Sequence, residues 1–166
     1  MEIHQNEHQQ EDEEFLLFFA KEAEQQPPCF YVGTHESLVT DRQKAMEWIL
    51  KVNAINRFTT LTAVLSINYL DRLLSTFQLQ RGKPWMVQLL AITCPSLVTK
   101  VEEIQHVPLL QVDTKYVFEA KTICRMELLV LSTLKWKMHL VTPLSFLDRI
   151  IRRLGSKTHL HCEFLK

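Results

Sequence analysis

Between Phe58 and Ser75 the chain carries an unbroken apolar stretch whose only charges are Asp71 and Arg72. Wound as a helix at about 100° per residue, its apolar side chains fall on every side. A helix that is apolar all round has to be enclosed by other helices or by lipid. A membrane span needs about 20 apolar residues without charge, a condition that Asp71 and Arg72 break. The stretch is therefore predicted to be the central, buried helix of an all-α domain whose neighbouring helices each present one apolar face.

At 166 residues the chain has room for one domain, or one domain and a fragment of a second. Its 19 basic residues balance 19 acidic ones, which gives no electrostatic case for a nucleic-acid or membrane-surface binder. With 3 glycines in the whole chain, sheet-and-turn folds and phosphate-cradling loops are both disfavoured. Met1 leads into a polar, acidic run and not into a signal peptide. Together with the wide spacing of Cys29, Cys94, Cys124 and Cys162, this predicts free thiols in a reducing intracellular compartment.

Along the chain, residues 1–14 form an acidic N-terminus predicted to be disordered, followed by a short amphipathic helix over Phe15–Glu24 that Pro27 and Pro28 end. A loop is expected to about Thr40. Asp41 is placed to cap a helix over Arg42–Asn53, whose apolar arc holds Ala45, Met46, Ile49, Leu50 and Val52, with Trp48 at its edge. After the central helix, Pro84 opens a third helix to about Glu103. Asp113 is placed to cap a stretch resuming at Thr114, and a long helix covers roughly Ala120–Leu134. A last segment, Leu144–Leu154, carries Arg149, Arg152 and Arg153 and ends at Gly155. The pattern is a bundle of about five helices, with one short helix before it and one after.

Two charges stand where apolar residues belong. On the third helix Lys100 projects within the arc of Met86, Leu90, Cys94, Leu97 and Val101. On the long helix Glu127 sits amid Ile123, Val130, Leu131 and Leu134. Burying an unpaired charge costs several kcal/mol, so each needs a partner or a wet edge. Their opposite signs suggest that they lie near each other at one rim of the bundle. One reading is an internal salt bridge or a snorkelling lysine; the other is a polar pair held on a rigid surface to grip a partner's backbone. Geometry alone favours the first.

The segments Leu97–Glu103 around Lys100 and Arg125–Leu131 around Glu127 resemble the two signature segments of the cyclin box. Arg42 with Glu47–Leu50 resembles its first helix, and Asn68–Arg72 its second. Lys83–Leu89, Lys115–Thr122 and Trp136–Pro143 look closest to plant D-type cyclins. The resemblance spans about residues 15–166. It implies an all-α, five-helix cyclin box around a central buried helix at 15–141, counting the preceding short helix, and the start of a truncated second cyclin fold at 142–166.

That resemblance implies a regulatory subunit, not an enzyme, that binds and activates a cyclin-dependent serine/threonine kinase at the G1/S transition, in the nucleus and cytoplasm. Lys100 and Glu127 would hydrogen-bond main-chain groups beside the kinase's regulatory helix, which raises the second reading of the pair above the first. Arg42 and Trp48 match a patch where some cyclins dock substrates or inhibitors, and Ala45 lies in that patch, where it and Asp41 replace larger apolar residues of the strongest docking cyclins; for Trp48 the alternative is plain packing against the N-terminal helix. No cofactor or metal is expected. A non-activating cyclin fragment that occupies a kinase, and a transcription-factor-like cyclin module using Arg149, Arg152, Arg153 and Lys157, remain as alternatives.

Several features depart from the family pattern. Pro95 falls mid-helix, where its missing N–H and its ring cost about 3 kcal/mol unless a kink absorbs them, so Pro95→Leu is expected to raise the melting temperature and strengthen kinase binding. The loop from Gln105 to Val112 is shorter than in related D-type cyclins. The N-terminus lacks a Leu-x-Cys-x-Glu motif for retinoblastoma-type proteins. The apolar face of the last segment (Leu144, Leu147, Ile150, Ile151, Leu154) lacks most of its packing partners. His159, His161 and Cys162 do not form a matched zinc ligand set.

Overall fold

The computed structural model describes residues 2–25, 36–76, 83–102, 116–138 and 140–153. They form six helices: α1 (Glu2–Gln25), α2 (Glu36–Asn56), α3 (Thr60–Thr76), α4 (Pro84–Glu102), α5 (Ala120–Thr133) and α6 (Pro143–Arg153). No strand occurs among the described residues. Two compact units result, one built from α1 and α6 and the other from α2 to α5. Of the stretch expected to resume at Thr114, residues 114–115 lie outside the described residues and 116–119 are not helical; Gly155 also lies outside them, and the bundle is described through four helices.

In the four-helix unit, α4 packs against α2, α3 and α5. The centre predicted for the Phe58–Ser75 stretch is shared between α3 and α4. On α3, Tyr69, Leu70, Leu73 and Leu74 are buried, whereas Leu61, Val64, Asn68, Asp71 and Arg72 are only half-buried. On α4, every residue from Leu89 to Thr99 except Ser96 is buried. The reason lies in composition: between Lys83 and Lys100 that helix carries no charge and many small side chains. Tyr69 ties α3 to the segment after α5 by donating its hydroxyl proton to the carbonyl of Met138.

Helix ends follow local chemistry. Thr59 caps α3 by accepting from the Thr62 N–H at 3.3 Å. Arg57 closes α2 in the left-handed region (φ 55°), with the Phe58 N–H returning to the Asn53 carbonyl at 3.1 Å. Lys135 (φ 52°) repeats the device after α5, where the Trp136 N–H reaches the Leu131 carbonyl at 3.0 Å. Asp41 does not cap α2, because that helix begins a turn and a half earlier at Glu36. Half-buried Leu38 and Val39 extend its apolar side backwards, and that packing outweighs the local cap signal.

Pro95 is accommodated. α4 runs through it without interruption, and the proline is buried. A leucine there would have to fit into a closed core, where added methylenes cost about 1–3 kcal/mol. The Pro95→Leu expectation is therefore replaced by Pro95→Ala. Alanine restores the N–H that the Ala91 carbonyl lacks and adds no bulk, so Pro95→Ala is expected to raise the melting temperature by a few degrees. A drop in a thermal melt would show that the ring's packing outweighs the missing hydrogen bond.

Alkaline pH should weaken this core. Burial pushes the Cys94 thiol well above its ordinary range, and burial does the same to the Tyr69 phenol, with the Glu102 carboxylate adding to it. Both groups are thus held neutral in the fold, while the unfolded chain releases their protons near pH 8.5 and 10. Their contribution is complete below those values and is lost as pH rises, at about 1.4 kcal/mol per pH unit for each group. The melting temperature should be flat from pH 7 to 8 and fall above about 9. Cys94→Ala should flatten the first part of that fall; an unchanged profile would remove Cys94 as its cause.

The second unit is built on aromatic contact. Phe146 of α6 lies 6.0 Å edge-on from Phe18 and 5.0 Å from Phe19 of α1, measured between ring centres. The Gln25 side-chain carbonyl accepts from the Val141 N–H at 2.8 Å. The expected short helix at Phe15–Glu24 is longer, and residues 2–14, predicted to be disordered, are helical in the structure. Helix-favouring Glu and Gln fill most of those positions, and acidic side chains suit a helix N-terminus. In this unit α1 groups with α6. Leu144 and Leu147 of the segment expected to lack partners are half-buried.

Candidate functional site

α4 and α5 pack side by side and bring their out-of-place charges together. Lys100 Nζ donates to Glu127 Oε1 at 2.7 Å and to Oε2 at 2.6 Å. Ser96, one turn before Lys100 on α4, donates its hydroxyl to Glu127 Oε1 at 2.7 Å. The two ends of the pair differ in exposure: the Lys100 side chain is 40 % exposed and that of Glu127 is 9 % exposed. The carboxylate is thus an anchored, nearly buried acceptor, and the ammonium above it faces water. Of the three N–H bonds on the ammonium, two point to Glu127 among the described residues, and the third is available to another acceptor.

The pair is neither separated nor sealed: the two side chains touch where α4 meets α5, with the ammonium open to water. The internal salt bridge also exists in the isolated chain. That is the first of the two readings that the sequence left open. Exposed apolar side chains flank it: Val101 follows Lys100, and Leu128, 61 % exposed, follows Glu127. Two large apolar groups beside a preformed ion pair make a surface suited to protein contact. Ser96 was not foreseen, although its i, i+4 relation to Lys100 on one helix face was legible.

The candidate docking patch divides. Ala45 and Trp48 of α2 line a cleft of about 270 Å³ with Asp41, Lys44, and Val87 and Gln88 of α4. The Trp48 indole N–H is buried in that region without a hydrogen-bond partner among the described residues, while its ring packs on Val52 together with Phe58. Arg42 does not join them. Its Nε and Nη2 donate to Asp71 Oδ1 and Oδ2 at 2.6 and 2.7 Å, a two-pronged ion pair that ties α2 to α3 and holds the guanidinium pKa above its ordinary value. Arg42 is therefore committed within the fold.

Among the described residues no group of acidic, histidine and cysteine side chains could hold a metal, and His159, His161 and Cys162 lie outside them. No described helix is long and apolar enough to cross a membrane.

The α2–α5 unit is a four-helix packing with a lysine–glutamate pair on its third and last helices. Residues 13–139 match the family model for the cyclin N-terminal domain, and the chain belongs to the cyclin family. It is 58% identical to Cyclin-D3-1 of Arabidopsis thaliana over 93% of its own length and 41% of that protein's. It is 52% identical to Cyclin-D3-2 of the same plant over 94% of its length and 43% of the relative's. To Cyclin-D4-1 of Oryza sativa subsp. japonica it is 55% identical over 69% of its length and 33% of the relative's. The chain thus spans about two fifths of the length of its Arabidopsis D3 relatives. Cyclins are regulatory proteins and not enzymes.

Proposed function

We propose that this chain is a D-type cyclin polypeptide that binds a cyclin-dependent serine/threonine kinase and favours its active arrangement, serving the G1/S transition in the nucleus and cytoplasm. The observation that supports this reading is the Lys100–Glu127–Ser96 cluster at the meeting of α4 and α5, half open to water and bordered by exposed Val101 and Leu128. Lys100 would donate to a kinase carbonyl, and Glu127 would accept from a kinase N–H while steadying the lysine. Binding would shift the kinase toward the state in which its helix glutamate pairs with the catalytic lysine.

Residues 15–141 would constitute the first cyclin fold with its preceding helix, and residues 142–166 the opening of a second. The cleft beside Ala45 and Trp48 would take substrate or inhibitor segments.

The test is capture of purified cyclin-dependent kinases by the full chain, followed by a kinase assay on the captured complex. Capture with a rise in kinase activity is expected. Capture without activation would identify a non-activating occupant of the kinase, and no capture at all would end the kinase reading.

A further inference from the structure

The cleft between α2 and α4 has a floor of small side chains. Ala45 on α2 and Ala91 on α4 are both buried and both line it. Further along α2 the same inward line carries Ile49 and Val52, which close the core where Ala45 leaves room. Two aromatic residues stand beside that floor: Trp48 of α2 and Tyr116, each half-buried, with the Tyr116 ring 6.3 Å from that of Phe118 between centres. Rings favour edge-on or offset contact with other rings, which an aliphatic side chain cannot make. A small aliphatic group would also leave part of the floor without contact.

The rim carries more cation than anion. Lys44 lines the cleft, Lys83 precedes Pro84 on the α4 side, and both are exposed; the acid among the lining residues is Asp41, half-buried. Neither lysine side chain is paired with an acid among the described residues. Glu47, exposed one turn beyond Lys44, is not part of the lining. α4 adds the positive end of its dipole at Pro84 and has no acidic residue in its first turn.

We propose that the cleft selects a segment of another protein that carries an aromatic side chain flanked by acidic residues, the ring seated on Ala45 and Ala91 and the carboxylates meeting Lys44 and Lys83. This rests on the reading of the cleft as a docking place for substrate or inhibitor segments, and it names the class of segment. Ala45 sets the size of the anchor, and the two lysines set the sign of its flanks. Nucleic acid would draw on a denser basic surface than this rim offers.

The experiment measures fluorescence anisotropy of short labelled peptides with the full chain. One peptide has a phenylalanine flanked by glutamates, a second has leucine in place of the phenylalanine, and a third has lysines in place of the glutamates. The first should bind tightest, by roughly fivefold over the leucine peptide and roughly tenfold over the lysine peptide, and should weaken with added salt. Ala45→Leu fills the floor and should remove the preference for phenylalanine over leucine. Lys44→Glu with Lys83→Glu should turn the preference toward the lysine peptide. Circular dichroism checks folding, and because both lysines are exposed their variant decides the matter even if a larger side chain at position 45 disturbs packing. Equal or tighter binding of the leucine or lysine peptide would overturn the selectivity and leave the docking reading standing. Binding of none of the three would overturn both. Preferences unchanged in the variants would place the segment elsewhere, and tighter binding of single-stranded DNA would make nucleic acid the occupant; either result overturns the proposal.

Discussion

Glu127→Ala is expected to lose cyclin-dependent kinase by about 100-fold in a binding titration, with only a modest drop in melting temperature. Truncating one partner of a desolvated charge pair in an interface costs about 2–5 kcal/mol, and each 1.4 kcal/mol is tenfold. Lys100→Ala should weaken binding as much, yet the two variants should part in stability. Without Glu127 the lysine, already 40 % exposed, turns to water. Without Lys100 the carboxylate stays nearly buried with only the Ser96 hydroxyl against it. A fully buried pair broken this way loses about 3–5 kcal/mol; the open side of this one reduces that to about 1–2 kcal/mol. Lys100→Ala should therefore melt lower than Glu127→Ala. Equal kinase affinity in both variants and the parent would leave the cluster as an internal brace and nothing more.

Leu70→Ala should be the most damaging of the core truncations named here. Leu70 is fully buried on α3, where a leucine-to-alanine change costs about 3–4 kcal/mol through lost transfer energy and the cavity left behind. For a chain of this size that amounts to about 10 °C in melting temperature. Leu61→Ala, on the half-buried side of the same helix, should cost less than about 1.5 kcal/mol. Equal losses at the two positions would show that α3 is enclosed on all sides, as its sequence alone suggests.

That contrast marks how far the sequence reaches. The apolar stretch at 58–75 announced a buried helix, but hydrophobicity does not say which of two apolar helices takes the middle. α4 shares it because its small, uncharged residues admit close neighbours on several sides, whereas Asn68, Asp71 and Arg72 keep one side of α3 near water. Arg42 shows the same limit. Its place on the first bundle helix was legible, but whether its guanidinium served a docking patch or an internal ion pair depended on Asp71, 29 residues away. Local signals also misled at Asp41, where packing of Leu38 and Val39 carried the helix past a plausible cap.

By itself the sequence determined the helical class, most helix spans, and the anomaly of one cation and one anion set on apolar faces. Those properties are periodic or local, and side-chain spacing along a helix expresses them directly. Only the tertiary structure decided that Lys100 and Glu127 touch, that Ser96 completes the cluster, that Arg42 leaves the cleft for Asp71, and that Phe146 meets Phe18 and Phe19. Each of these joins residues far apart in the chain. Such pairings follow from how helices pack against one another, and no repeat along a single helix encodes that.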